Sequence, residues 1–206
     1  LNVQGRFSPT AGSGLDGPVA VDFTDTDPGG GDVTRICVGG EDPSGGSTIG
    51  SILIDPGNAA RNSVECGTIP PTGVFPRELL VWQNASSFNA IFDPLRPATG
   101  GVPFGASPWD AWIFHPAFDL ESATPDAVAR HAIVSKAIEA FGNALGSVIA
   151  HETGHALGLV PPGAPGGGLF AGADGASYAH ALNPDGSTPA ENFLMKAGNT
   201  FSFPRL

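Results

Sequence analysis

Ala144-Leu145-Gly146-Ser147-Val148-Ile149-Ala150-His151-Glu152-Thr153-Gly154-His155-Ala156-Leu157-Gly158 is the stretch on which the reading of this chain turns. It holds no proline and ends on a glycine, so it reads as a helix from Ala144 to Leu157 that stops at Gly158. Leu145, Val148, Ile149 and Ala150 give that helix an apolar face. Residues four apart project from one side of a helix, so His151 and His155 can offer two imidazoles to a single metal ion. Glu152 sits one residue round. From there its carboxylate can reach a water beside the metal without being a ligand, which is the position of a general base.

HExxH fixes only three positions and turns up by chance in helices of unrelated proteins, so a core helix with satisfied polar groups is the competing reading. A glutamate flanked by two histidines on an otherwise apolar helix is costly to bury without a metal. The metal reading is therefore preferred. Zinc held there would lower the pKa of a water from about 15.7 towards ~7 and polarise a scissile carbonyl, while Glu152 takes the water's proton and passes it to the leaving amine. Hydrolysis of a peptide bond needs all of these operations.

His151-Glu152-Thr153-Gly154-His155-Ala156-Leu157-Gly158 resembles the metzincin signature HExxHxxG. In that family a glycine turns the chain after the second histidine, a third ligand follows, and a later methionine turn underlies the metal. Gly158 matches the first feature, and Met195, in Asn192-Phe193-Leu194-Met195-Lys196-Ala197-Gly198, matches the last. The chain departs from the pattern at Pro161, where the family places His or Asp and where no side chain can ligate. The resemblance covers 151–158 in sequence and 159–198 in the order of its parts. It implies a zinc-dependent endopeptidase acting on protein or peptide substrates, with one catalytic zinc and Glu152 as the base.

A catalytic zinc usually has three protein ligands and keeps a fourth position for water. With His151 and His155 as two, the third is assigned to His180, the only histidine downstream. Its rivals are Asp174, Asp185 and Glu191, all oxygen donors that zinc accepts. Two alternatives to the metzincin reading remain: a gluzincin-type peptidase completed by Glu191, and a non-catalytic zinc-binding or adhesive module. Glu152 argues against the second, because loss of the base would be the simplest mark of decay.

Outward from the motif, Thr124-Pro125-Asp126 has the order of an N-cap, a first-turn proline and an early acid, which starts a helix. Its apolar positions, Val128, Ala132, Ile133, Ala137, Ile138 and Phe141, run to Gly142-Asn143, which either ends the helix or is a tolerated weak point. Val19-Ala20-Val21, Thr34 to Val38 and Ile52-Leu53-Ile54, separated by turn clusters such as Asp27-Pro28-Gly29-Gly30, read as strands. Glu78 to Ala90 reads as helix, and Asp110-Ala111-Trp112-Ile113-Phe114 as a short strand closed by His115-Pro116. Strands first and helices later give an α+β fold, and the resemblance narrows this to a zincin-like catalytic domain with a mixed sheet. One domain is expected over 1–206, with sheet and helices in 1–158 and a loop-rich part in 159–206, since Pro161 to Gly168 cannot be regular helix or central strand.

The 30 Gly and 20 Pro are about a quarter of the 206 residues, but 13 Phe and 3 Trp spread along the chain supply anchors for a loop-rich core. A net charge of -11 repels phosphate backbones and anionic membranes, which excludes nucleic acid as a partner. No apolar run approaches the ~20 residues that span a bilayer, so no membrane insertion is expected. The two cysteines, Cys37 and Cys66, fit one disulfide in an oxidising compartment. Together with a start at Leu1 in place of Met, that suggests a mature or trimmed secreted protein, and a monomer is expected. Asp22, Asp25, Asp27 and Asp32 could serve calcium but read better as a solvated acidic loop, and His115 and His131 read as structural.

Overall fold

The structure is a computed structural model that describes residues 24–27, 29, 33–54, 63–157, 180, 194 and 195. Strand β1 (Arg35–Ile36) pairs in parallel with β3 (Val64–Glu65), and β2 (Gly50–Ser51) pairs antiparallel with β4 (Gly73–Val74), placing Gly50 opposite Val74. The two ladders are joined just beyond β1, where Val74 N donates to the Cys37 carbonyl at 2.8 Å and Gly39 N donates to the Val74 carbonyl at 2.9 Å. Ile36 faces Glu65 across the first ladder, so the same register carries Cys37 opposite Cys66. The disulfide forms there, with the two Cα atoms 5.1 Å apart. Closing this loop constrains the unfolded chain and is worth about 3–4 kcal/mol.

Short strands are all that these sequences support. The expected strand over 34–38 contains β1, while the one expected over 52–54 is not formed: β2 ends at Ser51, and Ile52 is buried just past that end. The stretch from Glu78 to Ala90 is not one helix. A 3-10 segment, Pro76–Trp82, is followed by helix α1 (Ser86–Phe92), and Ala85 between them is extended (φ -77°, ψ 134°). The expected strand at Val19 to Val21 lies outside the described residues.

Asp110 to Phe114 is a correction: the segment holds a short helix, α2 (Asp110–Ile113), and not a strand. Strand propensity loses to the Asp110 carboxylate, whose Oδ2 accepts from Gly105 N at 2.7 Å and Ser107 N at 3.1 Å and curls the chain into a turn. The same carboxylate receives Arg130 Nε at 2.7 Å and Arg130 Nη2 at 3.0 Å. Arg130 is completed by the carbonyls of Val102 and Pro103, at 2.9 and 3.1 Å. His115 and His131 stack on Trp112 and Phe118, which agrees with a structural role for both.

Helix α3 (Pro125–Ala156) organises the rest. Thr124 Oγ1 accepts from Ala127 N at 3.4 Å as its cap, with Pro125 in the first turn. The helix passes through Gly142-Asn143 without a break, because Ala144, Leu145 and Val148 immediately beyond are buried with Val74, Leu79 and Phe88. Burial of such side chains at ~1.5–3 kcal/mol each outweighs the ~1 kcal/mol that a mid-helix glycine costs. The merged helix is long and apolar enough, by length and composition, to cross a bilayer, a property it shares with core helices. Here its C-terminal half packs on β2, β4 and α1.

Candidate metal centre

The apolar stripe of α3 that lies on the sheet runs through Leu145 and Val148, and one further turn of that stripe brings Glu152 to the same side. His151 and His155 stand beside it, each flanking the glutamate, and both are about 5–6% exposed. The core thus continues to the end of the helix, but its last turn is polar.

His180, 29 residues beyond His151, joins these two. Nε2 of His155 and Nε2 of His180 lie 3.1 and 3.2 Å from Nε2 of His151. Three nitrogens on a tetrahedral ion at 2.0–2.1 Å would be ~3.3 Å apart, so this spacing suits one cation. His151 Nδ1 donates to the Leu194 carbonyl at 2.6 Å. That bond fixes the tautomer and leaves the Nε2 lone pair turned towards the other two rings. Met195, the next residue, is buried.

Burial and mutual proximity keep the imidazoles neutral, as metal ligation requires. Desolvation pulls His151 down to about 4 against the opposing Leu194 carbonyl, and pulls His155 down to about 3 with help from His151 and His180. His180 is lowered by burial as well. Glu152 moves the other way: desolvation pushes its carboxyl up to about 8. Nδ1 of His155 and Nδ1 of His180 are buried without a hydrogen-bond partner among the described residues. Three convergent imidazoles, two buried and the third half-buried, with no acid paired to them among the described residues, fit a divalent ion, and a histidine group able to hold one is therefore present.

Of the residues singled out from the sequence, His151, His155 and His180 come together with Glu152 beside them. Asp174, Asp185 and Glu191 lie outside the described residues, as do Asp22 and Asp32. Asp27 is engaged elsewhere, its Oδ1 accepting from Gly29 N and from Arg35 Nη2, both at 2.9 Å. Two participants escaped the sequence reading. The Leu194 carbonyl is a backbone atom with no residue-type signature. Gly50 did carry a signal, a glycine inside a strand marking the close approach of another group. A Cβ at Gly50 would lie 2.5 Å from Glu152 Oε1.

Comparison of the chain with families of known proteins, with curated proteins and with solved structures finds no match.

Proposed function

We propose that this chain is a secreted zinc endopeptidase of the zincin kind, acting as a monomer on protein or peptide substrates. The observation that carries the reading is the convergence of three imidazole Nε2 atoms beside a buried glutamate that is not one of the group. His151, His155 and His180 would hold the ion, and three histidines suit a catalytic zinc that keeps one position open. When bound, zinc lowers the pKa of a water towards ~7 and polarises the carbonyl under attack. Glu152 would take a proton from the attacking water and deliver it to the departing amine. To act as a base it must be ionised. A dication held by the three histidines would offset the desolvation of the Glu152 carboxylate. The exposed Cys37–Cys66 disulfide is compatible with an extracellular protein and supports secretion.

The test is hydrolysis of casein or gelatin by zinc-loaded protein, with and without a chelator, alongside Glu152→Gln. Chelation should abolish cleavage and added zinc restore it. Glu152→Gln keeps the shape of the side chain but not its basicity, so it should retain one zinc per chain and lose about 10²–10⁴-fold or more in rate. A zinc-loaded Glu152→Gln that turns over normally, or cleavage indifferent to chelation, would reject the reading.

A further inference from the structure

The Glu152 side chain ends against the backbone of β2. Leu145 and Val148 of α3 pack in the core with the fully buried Val74 of β4, and Gly50 is the residue of β2 directly across from Val74. One turn beyond Val148, Glu152 therefore meets Gly50. A Cβ built there would come 2.5 Å from Oε1 and 2.9 Å from both Cδ and Cγ of Glu152. Contacts under 3.0 Å are ones that real Cβ atoms essentially never make. β2 is tied edgewise to β4, where Phe75 N donates to the Ile49 carbonyl at 2.8 Å, and β4 is tied in turn to the chain beyond β1, where Val74 N donates to the Cys37 carbonyl at 2.8 Å. A side chain at position 50 therefore displaces the Glu152 carboxylate, the more flexible of the two partners, while β2 stays paired with β4.

We propose that Gly50 is a positioning residue: the bare backbone of β2 forms the wall that seats the Glu152 carboxylate for proton transfer. The catalytic part of this inference rests on the peptidase reading, but the steric part does not. A glutamate on a helix has three side-chain torsions, and neither oxygen of Glu152 has a hydrogen-bond donor among the described residues, so none of those residues fixes by hydrogen bonding where the acid points. The wall at Gly50 does, by excluding the space behind it. General-base catalysis demands that restriction, because a misplacement of ~1 Å lowers a rate by about 10²-fold.

The test is a cycle of substitutions in the full, zinc-loaded chain. Gly50→Ala should retain one zinc per chain and lose about 10²-fold in kcat, with KM changed less than about threefold, because metal and substrate contacts stay while the base moves. In a Glu152→Asp background the acid is one methylene shorter and leaves room for the added methyl, so Gly50→Ala should then change kcat less than about threefold. Thermal unfolding of the metal-free proteins reads the contact without any assay: Gly50→Ala should lower Tm in the parent and leave it unchanged in a Glu152→Ala background. If Gly50→Ala alone does not fold, recovery of folding in Gly50→Ala/Glu152→Ala supports the contact, and failure of both overturns it. Full activity of Gly50→Ala, equal losses in both backgrounds, or loss of zinc together with activity would each overturn the proposal. If the parent itself does not hydrolyse protein, the peptidase reading falls, and the unfolding cycle still decides whether Gly50 seats Glu152.

Discussion

Helix α3 carries two buried polar clusters, one near each end, and they are built on opposite principles. At Arg130 every guanidinium nitrogen is answered, four of its five N–H groups meeting both oxygens of Asp110 and two carbonyls, and Asp110 also takes two backbone N–H groups. The opposing charges hold Asp110 below the usual carboxylate range, with the Arg130 hydrogen bonds the largest cause. At His151, Glu152, His155 and His180 no opposite charge is present among the described residues, two ring nitrogens are unanswered, and each group is driven towards its neutral form. The first cluster is complete as folded and joins α3 to the segment before it. The second is left incomplete by its own side chains, which is what a ligand site requires.

That contrast can be broken most directly by exchanging the fates of the two clusters. Asp110→Ala leaves the Arg130 guanidinium buried without its counter-ion and should destabilise the metal-free protein by about 3–5 kcal/mol. His155→Leu removes an unanswered buried nitrogen and replaces it with apolar volume, so it should change the stability of the metal-free protein by no more than about 1 kcal/mol while abolishing zinc binding. Urea unfolding of both variants after chelation makes the comparison. Equal destabilisation by the two would mean that His155 belongs to a satisfied core, and the distinction between the clusters would be lost.

A somewhat smaller effect is expected from the ligand that is farthest away in sequence. Removing an outer partner of a metal ligand usually costs 10–100-fold in affinity, so His180→Ala should weaken zinc binding by more than about 100-fold. Asp174→Ala and Asp185→Ala should not. Zinc competition against a chromophoric chelator separates these outcomes, and full zinc affinity in His180→Ala with a loss in either aspartate variant would move the third ligand away from His180.

How far the sequence was legible follows from the range of the interactions involved. Thr124-Pro125 gives the start of α3, and the spacing of His151 and His155 puts two imidazoles on one side of a helix, because both are local facts of a 3.6-residue repeat. Gly142-Asn143 left the continuity of the helix open, since burial of Leu145 and Val148 against Val74 is invisible in the local pattern. Asp110 to Phe114 misled because its apolar and aromatic run suggests a strand, while the Asp110 carboxylate curls the chain by accepting from Gly105 N and Ser107 N and is held there by Arg130, 20 residues away. His180 could be reached only by eliminating other donors. Gly50 and the Leu194 carbonyl act through backbone, where residue type says least.

The smallest expected effect concerns a third way of burying a charge, and it tests whether the completeness of the Asp110 cluster depends on a cation at all. Asp42 is buried at the head of the loop that leads into β2, yet no cation pairs with it among the described residues. Its Oδ1 accepts from Ser44 Oγ at 2.6 Å and Ser44 N at 2.8 Å, and its Oδ2 accepts from Thr48 N at 3.1 Å. These bonds, the Ser44 hydroxyl first, pull its carboxyl down to about 2 from an ordinary 3.8. A carboxyl depressed on folding contributes stability that is complete above about pH 4 and is lost as pH falls towards 2, where the folded state also takes up the proton. Asp42→Asn keeps one acceptor but has no charge to titrate, so it should be less stable than the parent at neutral pH and show a shallower loss of stability between pH 4 and pH 2. Asp110→Asn should flatten the same window, since Asp110 is depressed too, but with a greater loss at neutral pH because Arg130 then lacks its counter-ion. Urea midpoints measured from pH 6 to pH 2 give both slopes. If Asp42→Asn follows the parent curve in parallel, hydrogen bonds from the 44–48 loop are not what holds Asp42 ionised, and only the pairing seen at Arg130 stabilises a buried acid in this fold.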